Sequence, residues 1–208
     1  MELTVAQVAG QHARTPRFVQ QAVRSGDLPA LRLVGRLVVM DDLAATAWAR
    51  SLARGRRWSS EVRDAALDLL STGRTGRLSS SERSRLRSRL RGMSAAAIAH
   101  AAGGLGAWAR YRVMQVPDLP RVGPSVVDEI GLGIVPGGGW VTFVETVDLT
   151  GFELTQDVIL DADGNLGVVE RPRPDPRIAR VLLDTYLLGD ARVSSAAATE
   201  LESRAHGV

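Results

Sequence analysis

The chain has 208 residues and a formal net charge of +3, with 45% of its residues hydrophobic and 24% charged. This balance is typical of a folded globular protein and excludes a disordered or collagen-like chain. We expect a cytoplasmic protein without a membrane partner, because no run of about 18 apolar residues or signal-peptide pattern is present. The absence of cysteine and the scatter of His12, His100 and His206 argue against disulfides, thiol catalysis and a metal site.

Positive and negative charges are unevenly distributed along the chain. Residues 1–112 contain 19 arginines and 8 acidic residues, whereas residues 113–208 contain 7 arginines and 15 acidic residues. The basic part predicts a polyanionic ligand, and the acidic part predicts a different partner. All 26 cationic residues are arginine. Because genomic base composition can produce that bias, it is weak evidence for phosphate binding.

Two short helices are predicted at the N-terminus. Thr4 can cap a first helix that includes residues 5–9. Thr15 followed by Pro16 favours the start of a second helix, since threonine caps helices and proline fits the first helical position. Ser25-Gly26 ends this second helix, whose apolar face consists of Phe18, Val19, Ala22 and Val23. Two short helices joined by a few residues are typical of a helix-turn-helix.

A β-hairpin, or wing, is predicted after the second helix. Two short apolar runs, residues 31–34 and 37–40, flank the turn residues 35–36. The aspartates at 41–42 then provide a cap for a third helix over residues 43–54. This order of elements is that of a compact N-terminal domain ending near residue 56.

The first 55 residues carry a family resemblance. Its residues stand in the following order and spacing: Thr4-Val5-x-x-Val8-Ala9, Thr15-x-Arg17-x-Val19-x-x-x-Val23, Gly26-x-Leu28-Pro29-Ala30-x-Arg32, Gly35-Arg36 and Asp42-Leu43. This pattern resembles the excisionase or MerR-like winged helix-turn-helix family. The resemblance implies that the second helix lies in the DNA major groove and that the wing contacts the adjacent backbone or minor groove.

The candidate DNA-binding residues lie on the second helix and on the wing. Arginine can form two parallel hydrogen bonds with guanine, and glutamine can do so with adenine. The residues off the apolar face of the second helix are Arg17, Gln20, Gln21 and Arg24. Arg14, Thr15, Arg32 and Arg36 complete the predicted set through phosphate or minor-groove contacts. The alternative is that the same residues form a solvated helix face.

Residues 57–92 predict a helical linker of two helices. Ser59 begins the first helix, and a capping box of Ser79 and Glu82 begins the second. The second helix carries alternating arginines: Arg83, Arg85, Arg87, Arg89 and Arg91. These residues can extend a DNA footprint, but we favour a solvated or intramolecular role.

Residues 93–208 predict an acidic C-terminal domain that binds a partner protein or mediates dimerisation. Four segments favour strands of a small mixed sheet, namely residues 111–116, 140–147, 152–160 and 166–170. Helices are predicted after Pro174 and from Ser194. The predicted fold class is therefore α+β, with a winged helix-turn-helix (1–56), a helical linker (57–92) and a C-terminal small mixed α/β domain (93–208).

The sequence predicts no catalytic residue, no metal and no cofactor, and hence a protein that is not an enzyme. Residues 161–165 resemble the start of a calcium loop but lack its glycine and glutamate, so they predict a hairpin turn. The glycines at 131–133 and 137–139 match neither a dinucleotide fingerprint nor a P-loop, which requires a lysine.

These features favour a sequence-specific DNA-binding protein. The winged domain and helical linker are followed by a Tyr-x-Val strand region and by the terminal segment Leu188-Gly189-Asp190-Ala191-Arg192. This layout also resembles AbiEi-like antitoxins of type IV toxin-antitoxin systems, which implies repression of its own operon and a nucleotidyltransferase-like toxin as cognate partner. The alternatives are a plain transcriptional regulator, an excisionase-like architectural factor and an interaction scaffold. The residues beyond the winged domain argue against the excisionase. A homodimer is compatible with each of these functions.

Overall fold

The computed structural model describes residues 1–135 and 140–208, and the fold belongs to the α+β class. The chain forms two compact units, each built from segments that are distant in the sequence. Unit 1 comprises residues 1–49, 105–121 and 140–174. Unit 2 comprises residues 50–104, 122–139 and 175–208. Within its second segment, residues 122–135 are described. These units do not coincide with the consecutive segments 1–56, 57–92 and 93–208 that the sequence suggests.

The N-terminal part of unit 1 combines three helices with a small antiparallel sheet. Its strands lie in the order β1-β3-β2, and the two-residue turn between β2 and β3 contains Gly35 at a φ of +61°. Only glycine adopts that φ without strain, which explains the tight turn. The elements are β1 (Glu2–Thr4), α1 (Val5–Gln11), α2 (Pro16–Arg24), β2 (Arg32–Val34), β3 (Leu37–Asp41) and α3 (Asp42–Arg50).

Side-chain caps start the first two helices, as predicted. The backbone N–H of Gln7 donates to the Thr4 hydroxyl over 3.4 Å, and the Gln7 side chain completes a capping box. The N–H of Phe18 donates to the Thr15 hydroxyl over 3.3 Å. The predicted hairpin is also confirmed, whereas α3 ends at Arg50 rather than near residue 54.

A second, mixed sheet completes unit 1. Its strands β4 (Trp108–Arg112), β5 (Thr142–Thr146), β6 (Ile159–Leu160) and β7 (Leu166–Glu170) lie in the order β5-β7-β4-β6. β5 and β7 are parallel and the other pairs are antiparallel, which confirms a small mixed sheet. The buried cluster on this sheet includes Tyr111, Val144, Phe152 and Val168.

Three predicted elements of the second half are wrong in place or type. Residues 152–160 do not form one strand, because Asp148 accepts from the N–H of Gly151 over 2.9 Å and starts helix α7 (Leu149–Thr155), which leaves only β6 as strand. The predicted strand 111–116 is observed as β4, which ends at Arg112. The last helix begins after the Asp190 cap rather than at Ser194.

Unit 2 is a helical assembly. Its elements are α4 (Ser60–Thr72), α5 (Ser80–Leu90), α6 (Ala95–Ala102), a 3₁₀ turn (Gly123–Ser125), α8 (Ile178–Leu188) and α9 (Ala191–Gly207). Helix α8 is buried along nearly its whole length, and α4, α6 and α9 pack against it. The Ser59 and Ser79 caps that the sequence predicts are confirmed. The predicted linker helices α4 and α5 are therefore part of a packed helical unit.

Among the described residues, no helix combines the length and the apolar character needed to cross a membrane.

Candidate nucleic-acid interface

The polar face of α2 is fully available to a ligand. Val19 and Ala22 are buried and attach the helix to unit 1, whereas Arg17, Gln20, Gln21 and Arg24 are exposed. Within residues 1–135 and 140–208, the side chains of these four residues make no hydrogen bond or ion pair. Two guanidinium and two carboxamide groups thus project from one helix without intramolecular partners. That set can donate and accept hydrogen bonds at base edges.

The turn before α2 places a further arginine at the start of the helix. The Arg14 guanidinium lies 5.9 Å from the centre of the Phe18 ring, and Phe18 in turn lies 5.7 Å from Trp48. This cation–π contact restrains Arg14 while leaving it exposed. Burial and the nearby Arg14 charge lower the pKa of His12, so His12 is neutral at pH 7 and adds no positive charge to the turn.

The hairpin brings two arginines and an apolar tip to the surface. Arg36 is exposed at the turn, whereas Arg32 forms an ion pair of 2.5 Å with Glu2 of β1. Arg32 must give up or share this pair to contact a phosphate, but the pair is exposed and therefore weak. Leu33 and Leu37 are 72% and 59% exposed, so the tip presents apolar as well as cationic groups.

A buried arginine that is absent from the predicted site residues, Arg110, supports this region. The Nη1 atom of Arg110, on β4, lies 3.5 Å from a carboxylate oxygen of Asp41 and 3.2 Å from one of Asp42. Its Nε donates a hydrogen bond to the carbonyl of Gly164 over 2.8 Å. Asp41 also accepts from the N–H of Ala44 over 3.0 Å and so caps α3. The signal in the sequence is an arginine between the apolar residues of a strand, which marks a buried charge that needs a partner.

The net charges of the two units differ from those of the two halves of the sequence. Unit 1 contains 10 arginines and 12 acidic residues, and unit 2 contains 16 arginines and 11 acidic residues. Their net charges are −2 and +5, because each unit takes segments from both halves. The predicted DNA-binding residues therefore lie on a unit of slightly negative charge, and the excess of positive charge belongs to unit 2.

Many acidic residues of the second half are bound to arginines of the chain itself. Asp161 pairs with Arg112 at 2.7 Å, and Glu200 pairs with Arg204 at 2.7 Å. Arg177 holds a cluster of three carboxylates, at distances of 2.6–3.0 Å from Asp175, Asp68 and Asp64. Although burial opposes it, the Arg177 guanidinium lowers the pKa of both Asp68 and Asp175. Of these arginines only Arg112 comes from outside residues 113–208, so the pairs leave most of the excess of negative charge of this segment in place.

A cavity of about 760 Å³ opens on unit 1 beside the second sheet. Its wall includes the buried side chains of Val144 and Phe152 and the fully exposed Met114. Leu154 and Ile159 are also exposed on this unit, by 82% and 66%. Single exposed apolar side chains are common on folded proteins, whereas a contiguous exposed patch is typical of a surface that binds another protein.

The described residues contain no group of three or more histidine or acidic side chains arranged to hold a metal ion. The glycines at 137–139 lie outside the described residues. Comparison of the chain with protein-family models, curated proteins and solved structures found no match.

Proposed function

We propose that this protein binds double-stranded DNA in a sequence-specific manner, with α2 in the major groove and the β2–β3 hairpin against the adjacent backbone, in the manner of a winged helix-turn-helix. The main support for this proposal is that α2 exposes four polar side chains that make no hydrogen bond or ion pair within the described residues, namely Arg17, Gln20, Gln21 and Arg24. Val19 and Ala22 of its apolar side are buried, whereas Phe18 is 42% exposed, so its polar side faces either solvent or a ligand.

The chemistry of this face favours base edges over phosphate alone. A helix that contacts only phosphates needs cations, whereas two of these four side chains are amides that can pair with adenine. The exposed Arg36 at the hairpin turn supplies a phosphate or minor-groove contact beside the helix. Because unit 1 carries no excess of positive charge, its affinity depends more on specific contacts than on long-range attraction.

Fluorescence anisotropy with a mixed-sequence duplex at two salt concentrations tests DNA binding itself. The wild type should lose affinity steeply between 50 and 200 mM salt, by roughly tenfold or more, because each phosphate contact releases counterions. Arg17→Gln combined with Arg24→Gln should reduce this loss. The matched control is Arg74→Gln combined with Arg121→Gln, two exposed arginines outside the interface. Salt-independent binding, or equal effects of both pairs, would exclude α2 as the DNA-contacting helix.

A protein partner is a second proposal, favoured by the exposed Met114 in the wall of the cavity of unit 1 and by the exposed Leu154 and Ile159 on the same unit. The resemblance to AbiEi-like antitoxins suggests a nucleotidyltransferase-like toxin encoded by the neighbouring gene. Size-exclusion chromatography of the co-expressed pair tests this proposal. A shared peak that Leu154→Asp abolishes is expected, whereas separate peaks at micromolar concentration would leave a plain transcriptional regulator.

A further inference from the structure

The arginines of α5 fall into two groups with different roles. Arg83, Arg87 and Arg91 follow each other at four-residue spacing and therefore share one side of the helix. They donate to the backbone oxygens of residues 75, 73 and 208, over 3.2, 2.8 and 2.7 Å. These three arginines therefore bind α5 to its surroundings within unit 2, which is one of the two roles, solvated or intramolecular, that the sequence favours for this helix.

Arg85 and Arg89 form the second group. Both are exposed, and within the described part of the chain neither side chain makes a hydrogen bond or an ion pair. Arg89 is directed towards the loop that precedes α4: its Nη2 lies 4.0 Å from the position that a Cβ would occupy at Gly55. Arg54 and Arg56 flank this glycine, so cationic side chains from two separate elements lie on neighbouring parts of the surface.

The loop around Gly55 is held in place rather than free to spread its charges. His100 Nε2 lies 3.0 Å from the carbonyl oxygen of Gly55, and the N–H of Trp58 donates to the carbonyl of Ala101 over 2.8 Å. Arg54 and Arg56 are exposed and, among residues 1–135 and 140–208, their side chains have no acidic partner. A fixed loop keeps like charges together, which costs electrostatic free energy unless an anion neutralises them.

We propose that Arg54, Arg56, Arg85 and Arg89 form a second DNA-binding surface, on unit 2, that contacts the phosphate backbone without reading sequence. We call these residues the unit 2 arginine surface. The net charge of +5 on this unit supports a polyanionic ligand. The choice of DNA as that polyanion rests on the function proposed above.

The composition of the surface favours nucleic acid over an acidic protein or a membrane. Protein interfaces have an apolar core, and membrane-surface binding needs apolar side chains that insert into the lipid. In the described part of unit 2, Val135 is the one large apolar residue that is strongly exposed. A surface of guanidinium groups without apolar neighbours suits phosphate, which arginine binds through two parallel hydrogen bonds.

The test compares the salt dependence of duplex binding among charge-matched variants of the full chain. One variant carries Arg85→Gln and Arg89→Gln, another carries Arg54→Gln and Arg56→Gln, and the control carries Arg74→Gln and Arg121→Gln. Anisotropy titrations with a 30-base-pair mixed-sequence duplex between 50 and 200 mM salt give the slope of log affinity against log salt. Each lost phosphate contact should reduce this slope by about 0.9.

The expected result is a slope smaller by about 1 to 2 in each surface variant than in the control, with affinity at 100 mM salt lower by roughly tenfold or more. The side chains are exposed, so thermal unfolding should not change. Surface variants that bind as the control does, while Arg17→Gln weakens binding, would overturn this proposal alone. A wild type that binds no duplex would overturn this proposal and the proposed function together.

Discussion

Replacing Arg110 by methionine should destabilise unit 1, because the change leaves a buried carboxylate without its cation. The Arg110 side chain is 5% exposed and that of Asp41 is 3% exposed. Asp41 ends β3 and caps α3, and Arg110 lies in the middle of β4. The pair therefore joins two parts of unit 1 that are 69 residues apart in the chain.

The expected cost at pH 7 is about 3 kcal/mol of unfolding free energy, since breaking a buried ion pair by removing one partner costs roughly 3 to 5 kcal/mol. We place the effect at the lower end because Asp41 keeps its hydrogen bond from Ala44. Burial already raises the pKa of Asp41, against the opposing effect of Arg110. Removal of the guanidinium raises this pKa further.

The sign of the pH dependence follows from this shift. A carboxyl group whose pKa is higher in the folded than in the unfolded state favours the fold more when it is protonated. The free energy of unfolding therefore falls as the pH rises through the folded pKa of this group. The cost of Arg110→Met should therefore be largest at pH 7 to 8 and should decrease as the pH falls towards about 4, the unfolded pKa of aspartate.

Urea unfolding at pH 5 and pH 7.5, followed by tryptophan fluorescence, measures this cost. Arg112→Met is the matched control, because Arg112 lies two residues away on β4 but is 54% exposed in its ion pair with Asp161. An exposed pair should contribute less than about 1 kcal/mol. Asp41→Asn in the Arg110→Met background should recover part of the loss. Equal costs for the two arginines, or a cost independent of pH, would show that the buried Arg110–Asp41 pair does not stabilise unit 1.

Three further predictions concern stability. Thr15→Ala should cost about 1 kcal/mol of unfolding free energy by removing the cap of α2, whereas Thr15→Ser should not; equal losses would exclude the cap as the cause. Because Arg177 lowers the pKa of Asp68 and Asp175, these carboxylates stabilise the fold above about pH 4, and this stabilisation is lost as the pH falls. Arg177→Gln should therefore make the free energy of unfolding depend less steeply on pH in the acid range. An unchanged dependence on pH would contradict this. Gly167→Ala should cost roughly 3 kcal/mol in urea unfolding, since its Cβ would clash with the indole ring of Trp108; wild-type stability would contradict the packing of β7.

Helix starts in this chain are predictable because their signals are local. The hydroxyl groups of Thr4, Thr15, Ser59 and Ser79 all accept from an N–H three residues later, so a window of a few residues contains both partners. Residues 152–160 show the limit of this approach. Their alternating polarity resembles a strand, but the Asp148 cap and the burial of Phe152 against the second sheet select a helix over residues 152–155.

The grouping of the chain into units and the roles of its arginines depend on distant contacts. No local pattern shows that Arg110 pairs with Asp41, or that Arg83 and Arg87 are bound to backbone oxygens while Arg85 and Arg89 are not. The apolar spacing of α2 predicts that Arg17, Gln20, Gln21 and Arg24 are exposed, as observed, although Phe18 of the predicted apolar face is also 42% exposed. That part of the candidate site was therefore accessible from sequence.

Whether α2 reads sequence can be measured in two steps. The full chain first selects duplexes from a random library, and every single-base-pair variant of the selected site is then titrated. We expect a consensus that the wild type binds at least about 10³-fold more tightly than a shuffled duplex. Arg17→Ala and Gln21→Ala should each lose roughly 1 to 3 kcal/mol of discrimination at one base pair and leave the other positions unchanged. The absence of a consensus, or an equal loss of affinity for all sequences in both variants, would show that α2 does not read sequence.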